Sequence, residues 1–344
     1  MAEQSEILDE ALELLCETGP EFGPGLSNHG PMAAEALYTL GRSEDVVPWV
    51  VGYKRNLQDA PKPANPISRD GWREALGDIK RMADWTVFFE RELAESPWQQ
   101  TVNTWTARFA PGMVSAATHG VIRTAHAARN LGRRESKQRL RELAAGLAYW
   151  AARYLTVPGT PDHSGSLLPS DAIADVRTQS LEDQHQLGLI THRLLRLDEE
   201  SFGGVINLVD TSDRDMFLSD MAETFARAYL ANVNDANAIG LIHCVTGPSA
   251  VRLLLPYLTP KVAGEACAHA WQAGAAIYAA FGQEPSPDSI PAITNVREDI
   301  IDQAVATGDE HAIKFTEACL REHDLHGSNV FLAAAVDASR RLRD

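Results

Sequence analysis

Alternation of apolar and polar residues, the mark of a half-buried strand, is almost missing from this chain of 344 residues. No GxGxxG follows a strand, and no GxxxxGKS or GxxxxGKT occurs, so the usual fingerprints of flavin, nicotinamide and nucleotide binding are lacking. There is no GxSxG elbow, no cysteine in a nucleophile motif, and no carboxylate pair that stands out as acid and base. Cysteine is scarce. Cys16, Cys244, Cys267 and Cys319 form no CxxC pair and sit in helical, apolar contexts. They read as buried thiols of a reducing compartment rather than as metal ligands or redox centres. Basic residues are outnumbered, 31 Lys and Arg against 47 Asp and Glu, for a formal charge of -16. That imbalance argues against nucleic acid and anionic membrane surfaces as partners and favours a soluble protein acting on a small molecule. No apolar run approaches bilayer length, and the polar segment Met1 to Glu6 lacks a signal-peptide pattern, so a cytoplasmic location is expected.

What the chain has is helical periodicity. Hydrophobic residues make up 44%, enough for a large core and too many for a disordered chain. Three- and four-residue spacing predicts helices over 5–18, 29–40, 45–57, 71–95, 98–109, 115–131 and 135–155. After a Pro-, Gly- and Ser-rich connection at 157–169 it predicts 181–197, 213–232, 236–245, 249–258, 260–281, 296–307, 310–322 and 329–342. Thr259 before Pro260, Asp309 before Glu310 and Asn28 before His29 are the start signals. Only 203–210 could pass for a strand, and it has no partner. The expected fold is all-α: one large helical domain over 1–344, with any division into packed halves placed near 157–169.

Two stretches repeat a pattern. Asn28-His29-Gly30 runs through small apolar residues to Leu40-Gly41-Arg42, and Thr118-His119-Gly120 runs likewise to Leu131-Gly132-Arg133. Each places an imidazole near a helix start on the core-facing stripe. His29 shares its stripe with Met32, Ala33, Ala36 and Leu37, and His119 lies with Ile122, Arg123 and His126. His243 falls in a segment too apolar for the surface. His311 and Lys314, three apart, share a face. One histidine on an apolar face is more commonly a hydrogen-bonded core residue; four from four helices resemble the way bundles build metal centres. Neutral imidazole suits iron, zinc, copper or nickel, and the positive end of a helix helps keep His29 and His311 neutral.

Lys314 is the odd member of the set. A buried ammonium beside a metal is opposed by desolvation and by repulsion, so three states are open: pointed away, deprotonated, or converted to a carbamate. The carbamate would bring the anionic oxygen that a histidine set lacks. His126 lies two turns from His119, which suits a substrate-side acid or base better than a shared ligand, and Arg123 could anchor an anionic oxygen. Arg129 could do the same, although an arginine in mid-helix is more often ion-paired. Trp98, Trp105 and Phe109 form a stripe expected in the core. His163, His185, His192, His269, His323 and His326 read as structural or surface residues.

At these residues the chain resembles the questin oxidase-like family. The resemblance rests on Asn28-His29, His119-Gly120-Val121-Ile122-Arg123, Ile242-His243-Cys244-Val245-Thr246 and Glu310-His311-Ala312-Ile313-Lys314, spread from about residue 20 to residue 325. It implies an all-helical oxygenase that opens the ring of an anthraquinone by Baeyer–Villiger-like or dioxygenase-like oxygen insertion. It also implies a non-haem iron, with His29, His119, His243, His311 and Lys314 at the matching positions. The expected function is therefore a non-haem Fe(II) oxygenase, or one using another divalent transition metal, taking dioxygen and a small aromatic polyketide-like substrate, with His126 and Arg123 handling a phenolate. Two alternatives stand beside it. One is an NADPH-dependent oxidoreductase of the same family. The other is a metal-free helical binding protein for hydrophobic metabolites. The oligomeric state stays open.

Overall fold

The computed structural model describes residues 2–184 and 188–343, and helices dominate it, as the patterning predicts. The chain divides into two compact units, Met1–Leu155 with Leu253–Thr259, and Thr156–Arg252 with Pro260–Asp344.

The first unit holds α1 (Ala2–Leu15), a two-residue antiparallel pair β1 (Glu21–Phe22) and β2 (Leu26–Ser27), α2 (Gly30–Thr39), α3 (Ser43–Lys54), α4 (Met82–Glu95), α5 (Trp98–Phe109), α6 (His119–Arg133) and α7 (Lys137–Ala152). Helix α7 packs on α4 and α6, and α2 packs on α1, α3 and α6. The core is aromatic. Trp85, Phe88, Phe89, Trp105 and Phe109 are buried and meet edge-on or stacked, with Trp150 beyond Phe109. Two of the buried indoles are satisfied by the backbone: Trp85 Nε1 donates to Ala75 O at 3.0 Å and Trp150 Nε1 to Gly112 O at 2.9 Å, whereas Trp105 Nε1 has no hydrogen-bond partner among the described residues. Trp105 and Phe109 of the predicted stripe therefore serve packing, each contributing about 2–3 kcal/mol of burial. Trp98 packs instead on Tyr257 and donates to Glu135.

Several boundaries move. The single helix expected over 71–95 is broken into 3-10 turns at Trp72–Ala75 and Ile79–Arg81 before α4. Gly77, at φ +75° and giving its N–H to Ala151 O, turns the chain where periodicity reads straight through. The helix expected from 115 begins only at His119, because Ala116, Ala117 and Thr118 are left-handed. The two repeated stretches also part company. Gly41, at φ +80°, lies just past the end of α2, whereas Gly132 stays inside α6 against the Tyr257 hydroxyl. Cys16 lies just beyond α1 and is half-buried, unlike the other three thiols.

The second unit begins with the single turns α8 (Pro169–Ala172), α9 (Leu181–Gln184), α10 (Ile190–Leu194) and α11 (Glu199–Phe202). The long helices follow: α12 (Arg214–Asn232), α13 (Ala238–Leu254, within this unit to Arg252), α14 (Pro260–Phe281), α15 (Arg297–Thr307), α16 (Glu310–His326) and α17 (Asn329–Arg341). Helix α12 packs on α14 and α17, and α16 on α15 and α17. The helix expected over 181–197 is therefore two short ones, and His185 lies outside the described residues. The strand candidate at 203–210 is a 3-10 turn, Val205–Asn207, followed by one isolated parallel bridge between Val209 and Leu167.

Helix α13 corrects two expectations at once. Gly247-Pro248 reads as a break between two helices, yet Pro248 lies inside one. Burial of Leu241, Ile242, Val245, Val251 and Leu254 along the stretch outweighs the roughly 3 kcal/mol that an internal proline costs. The run Ala238–Tyr257, 20 residues at mean hydropathy 1.5, is thus long and apolar enough by length and composition to cross a membrane; 78% of its apolar window is buried inside the structure, as in a core helix.

Candidate metal centre

His29 and His119 meet in the first unit, each at the start of a helix. Asn28 anchors the first: its Nδ2 donates to Thr18 Oγ1 and Gly19 O, and its Oδ1 accepts the Gly30 N–H at 2.9 Å. The capping role expected of Asn28 is performed by its side chain, although the helix boundary falls at His29 itself. The His29 N–H donates to the Tyr53 hydroxyl at 2.9 Å. His119 follows three consecutive left-handed residues, Ala116 (φ 51°), Ala117 (φ 53°) and Thr118 (φ 70°). Such residues cost about 1–2 kcal/mol each, and this kind of strain clusters at functional sites. The turn lets His119 Nδ1–H donate back to Ala116 O at 2.5 Å. Gly120 then allows α6 to lie against α7, since a Cβ there would fall 2.8 Å from the Trp150 Cα.

With Nδ1 carrying the proton, His119 Nε2 presents a lone pair. It points at His29 Nε2, 2.5 Å away, with the rings stacked at 4.5 Å. Ordinary N–H···N or N–H···O contacts lie near 2.9–3.0 Å. Two lone pairs this close would repel, so either one nitrogen carries a proton or the two part by about half an ångström onto a shared cation.

The second unit holds the matching pair. His243, in mid-helix on α13, donates Nδ1–H to Ile239 O at 2.6 Å, which again leaves Nε2 as the lone-pair nitrogen. Burial, reinforced by His311 and Lys314, holds its pKa well below the ordinary imidazole value, so the ring is neutral. His311 is the second residue of α16, where Asp309 Oδ1 accepts the His311 and Ala312 N–H groups at 2.7 and 3.0 Å. The His243 and His311 rings meet edge to face at 5.5 Å. Within each pair the ring nitrogens lie within 4.8 Å of one another, close enough for both to ligate one ion. Backbone carbonyls fix the tautomers of His119 and His243 as outer partners do around metal-bound histidine. In donor type, and for His119 and His243 in tautomer, the residues fit a divalent transition metal.

Residues 26–319 match the questin oxidase-like family. The chain belongs to that family. Membership implies an oxidoreductase, an oxygenase acting on an anthraquinone-like substrate. No curated protein matches the chain.

In this questin oxidase-like chain Lys314 lies one turn beyond His311 on α16 and is 4% exposed. Burial pushes its ammonium down to about 8, against the opposing pull of Glu310 and Asp309. Those two carboxylates escaped the sequence reading as donors. Asp309, Glu310 and His311 offer ligand atoms within 4.8 Å of one another, and the Asp309 and Glu310 oxygens lie 3.5 and 3.8 Å from His311 Nδ1. The only sequence signal was an acidic helix start, which capping explains equally well.

His126 and Arg123, further along α6, are both buried and both paired. Arg123 forks onto Glu142, with Nε and Nη2 donating at 2.6 and 2.8 Å. His126 Nδ1 lies 2.7 Å from Glu35 Oε2, and Glu35 also takes hydrogen bonds from Arg129 and Arg133. The Arg123–Glu142 pair lines a cleft of about 360 Å³ and, on another side, a small void that His126 also lines. Among the remaining histidines, His269 is buried against Gln272, His163 is exposed beside Glu265, His323 contacts Ser328 O, and His326 lies beside Glu322.

Proposed function

We propose that the two histidine pairs act together as the ligand set of one divalent transition metal, Fe(II) before others, in an oxygenase that inserts oxygen into a ring of a hydroxylated, anthraquinone-like polycycle. The observation that carries this reading is the pinning of His119 and His243 through Nδ1 to carbonyls of their own helix approaches. Both Nε2 atoms are left as neutral donors, which is the state a metal requires. A bound, redox-active ion would supply the activation of dioxygen. His29, His119, His243 and His311 would hold that ion. Glu310 or Lys314 would add an anionic oxygen, Lys314 by adding its neutral amine to carbon dioxide, with loss of one proton, to give a carbamate. An unmodified Lys314 amine beside a bound metal in a crystal would refute that last assignment. On the substrate side, Arg123 would face the ring oxygen that ionises, and His126 would accept or return its proton.

A second reading has an observation in its favour. The 2.5 Å contact between His29 and His119 also fits a shared proton in a metal-free protein that binds hydrophobic metabolites. Elemental analysis of untagged protein separates the two. Stoichiometric iron, together with dioxygen uptake on addition of a hydroxyanthraquinone, is expected. Absence of stoichiometric metal would overturn the oxygenase reading, and zinc would move it toward hydrolytic or lyase chemistry. Activity that requires NADPH and survives chelation would replace it with a reductase-fed monooxygenase.

A further inference from the structure

The 360 Å³ cleft lies wholly within the first unit and falls in the range of about 300–1,000 Å³ typical of small-molecule sites. Its walls mix apolar residues, among them Leu12 and Leu15 of α1, Met82 and Ala83 of α4 and Ala145 of α7, with polar ones such as Thr86 and Gln138. Its floor is an ion pair. Arg123 is 7% exposed, and Glu142 holds it by two hydrogen bonds. Buried ion pairs contribute little net stability against apolar residues of the same volume, so a pair at the base of a cleft of this size calls for another use.

Charge narrows that use. Both guanidinium groups in the lining are already matched, Arg123 by Glu142 and Arg141 by Glu13 at 3.6 Å. Glu17 and Glu90 are exposed, line the same cleft and leave it acidic. An anion would meet repulsion at the mouth and a spoken-for arginine at the floor. A neutral phenol meets neither. Its O–H can donate to a second lone pair on a Glu142 oxygen, which an anion cannot do, and its oxygen can accept from an Arg123 N–H outside the fork that Glu142 occupies.

We propose that this cleft is a binding site for a flat, uncharged hydroxyaromatic molecule, admitted with its phenol protonated and read at the floor by Glu142 and Arg123. The choice of an aromatic ligand rests on the oxygenase reading; the cleft and its charge preference do not.

Cys16 supplies the test, because its half-buried thiol lines the cleft while the other three thiols are buried. The full-length protein is treated with N-ethylmaleimide, and the rate of Cys16 modification is followed by mass spectrometry with and without dihydroxyanthraquinone. Slowing by about tenfold at saturation is expected. Anthraquinone sulfonate, a permanent anion, is expected to give no slowing. Ala145→Trp, on a part-exposed wall position, should weaken binding by about tenfold or more, and Glu142→Gln should narrow the preference for the neutral ligand. Equal protection by the sulfonate, stronger protection by a planar acridinium cation, or unchanged Cys16 labelling would each overturn the proposal. Because Cys16 protection needs no turnover, failure of the oxygenase reading would show as absent metal or dioxygen uptake with the protection intact.

Discussion

Ala116, Ala117 and Thr118 occupy a backbone region that suits glycine, and the result is one imidazole aimed by its own chain. Ala117→Gly should therefore raise the unfolding free energy by up to about 1 kcal/mol, measured by urea denaturation; a loss of stability would mean that the turn is not strained. Glu35 is the other decisive residue of this region. Burial alone would raise its carboxyl pKa, but Arg129 and His126 overcome burial and hold it well below the usual range. A carboxyl depressed in the folded state stabilises above its unfolded value, near 4.3, and that contribution is lost as pH falls through the folded value. Glu35→Gln leaves the two arginines facing an uncharged group and should cost about 3 kcal/mol at neutral pH. The gap between wild type and variant should stay level down to about pH 4 and shrink below it, as urea titrations at pH values from neutral to strongly acid would show.

At the scale of elements, the approach of α6 to α7 depends on Gly120. Gly120→Ala would place a methyl group against the Trp150 backbone and should cost about 2 kcal/mol, read as a lower melting temperature; an unchanged value would show that α7 yields. The pattern of small residues made these helices legible, and the His-Gly pairs marked two real helix starts. Glu310–His326 and Pro260–Phe281 were also readable, because Asp309 and Thr259-Pro260 announce them. What escaped was conformational. Periodicity does not report that Ala116–Thr118 wind left-handed or that Gly77 turns the chain. Nor does it show that Pro248 is carried through a helix by the apolar residues around it. In the candidate centre, the histidines were legible from face and spacing. Asp309 and Glu310 were hidden because an acidic helix start is explained by capping alone.

For the whole molecule, a ligand that binds only the folded chain adds stability by mass action, about 4 kcal/mol at a thousand times its dissociation constant. If the four histidines hold one metal, chelation should lower the melting temperature of the wild-type protein and abolish dioxygen uptake. His119→Ala should already melt at the lower value and respond little to chelator. A wild-type melting temperature indifferent to chelation would count against the metal. The questin oxidase-like match over 26–319 takes in residues of both units and every proposed ligand, and leaves α1 and α17 outside. The acidic balance of -16 fits the inferred cleft, since both disfavour anionic ligands at long range and at contact.

Pro248 has no N–H to return to the carbonyl of Cys244, the neighbour of His243. That rung of the helical ladder is missing just past a proposed ligand. Amide hydrogens over 245–249 should consequently trade for deuterium sooner than those of α14, which has no internal proline, so that α13 breathes beside the ring it carries.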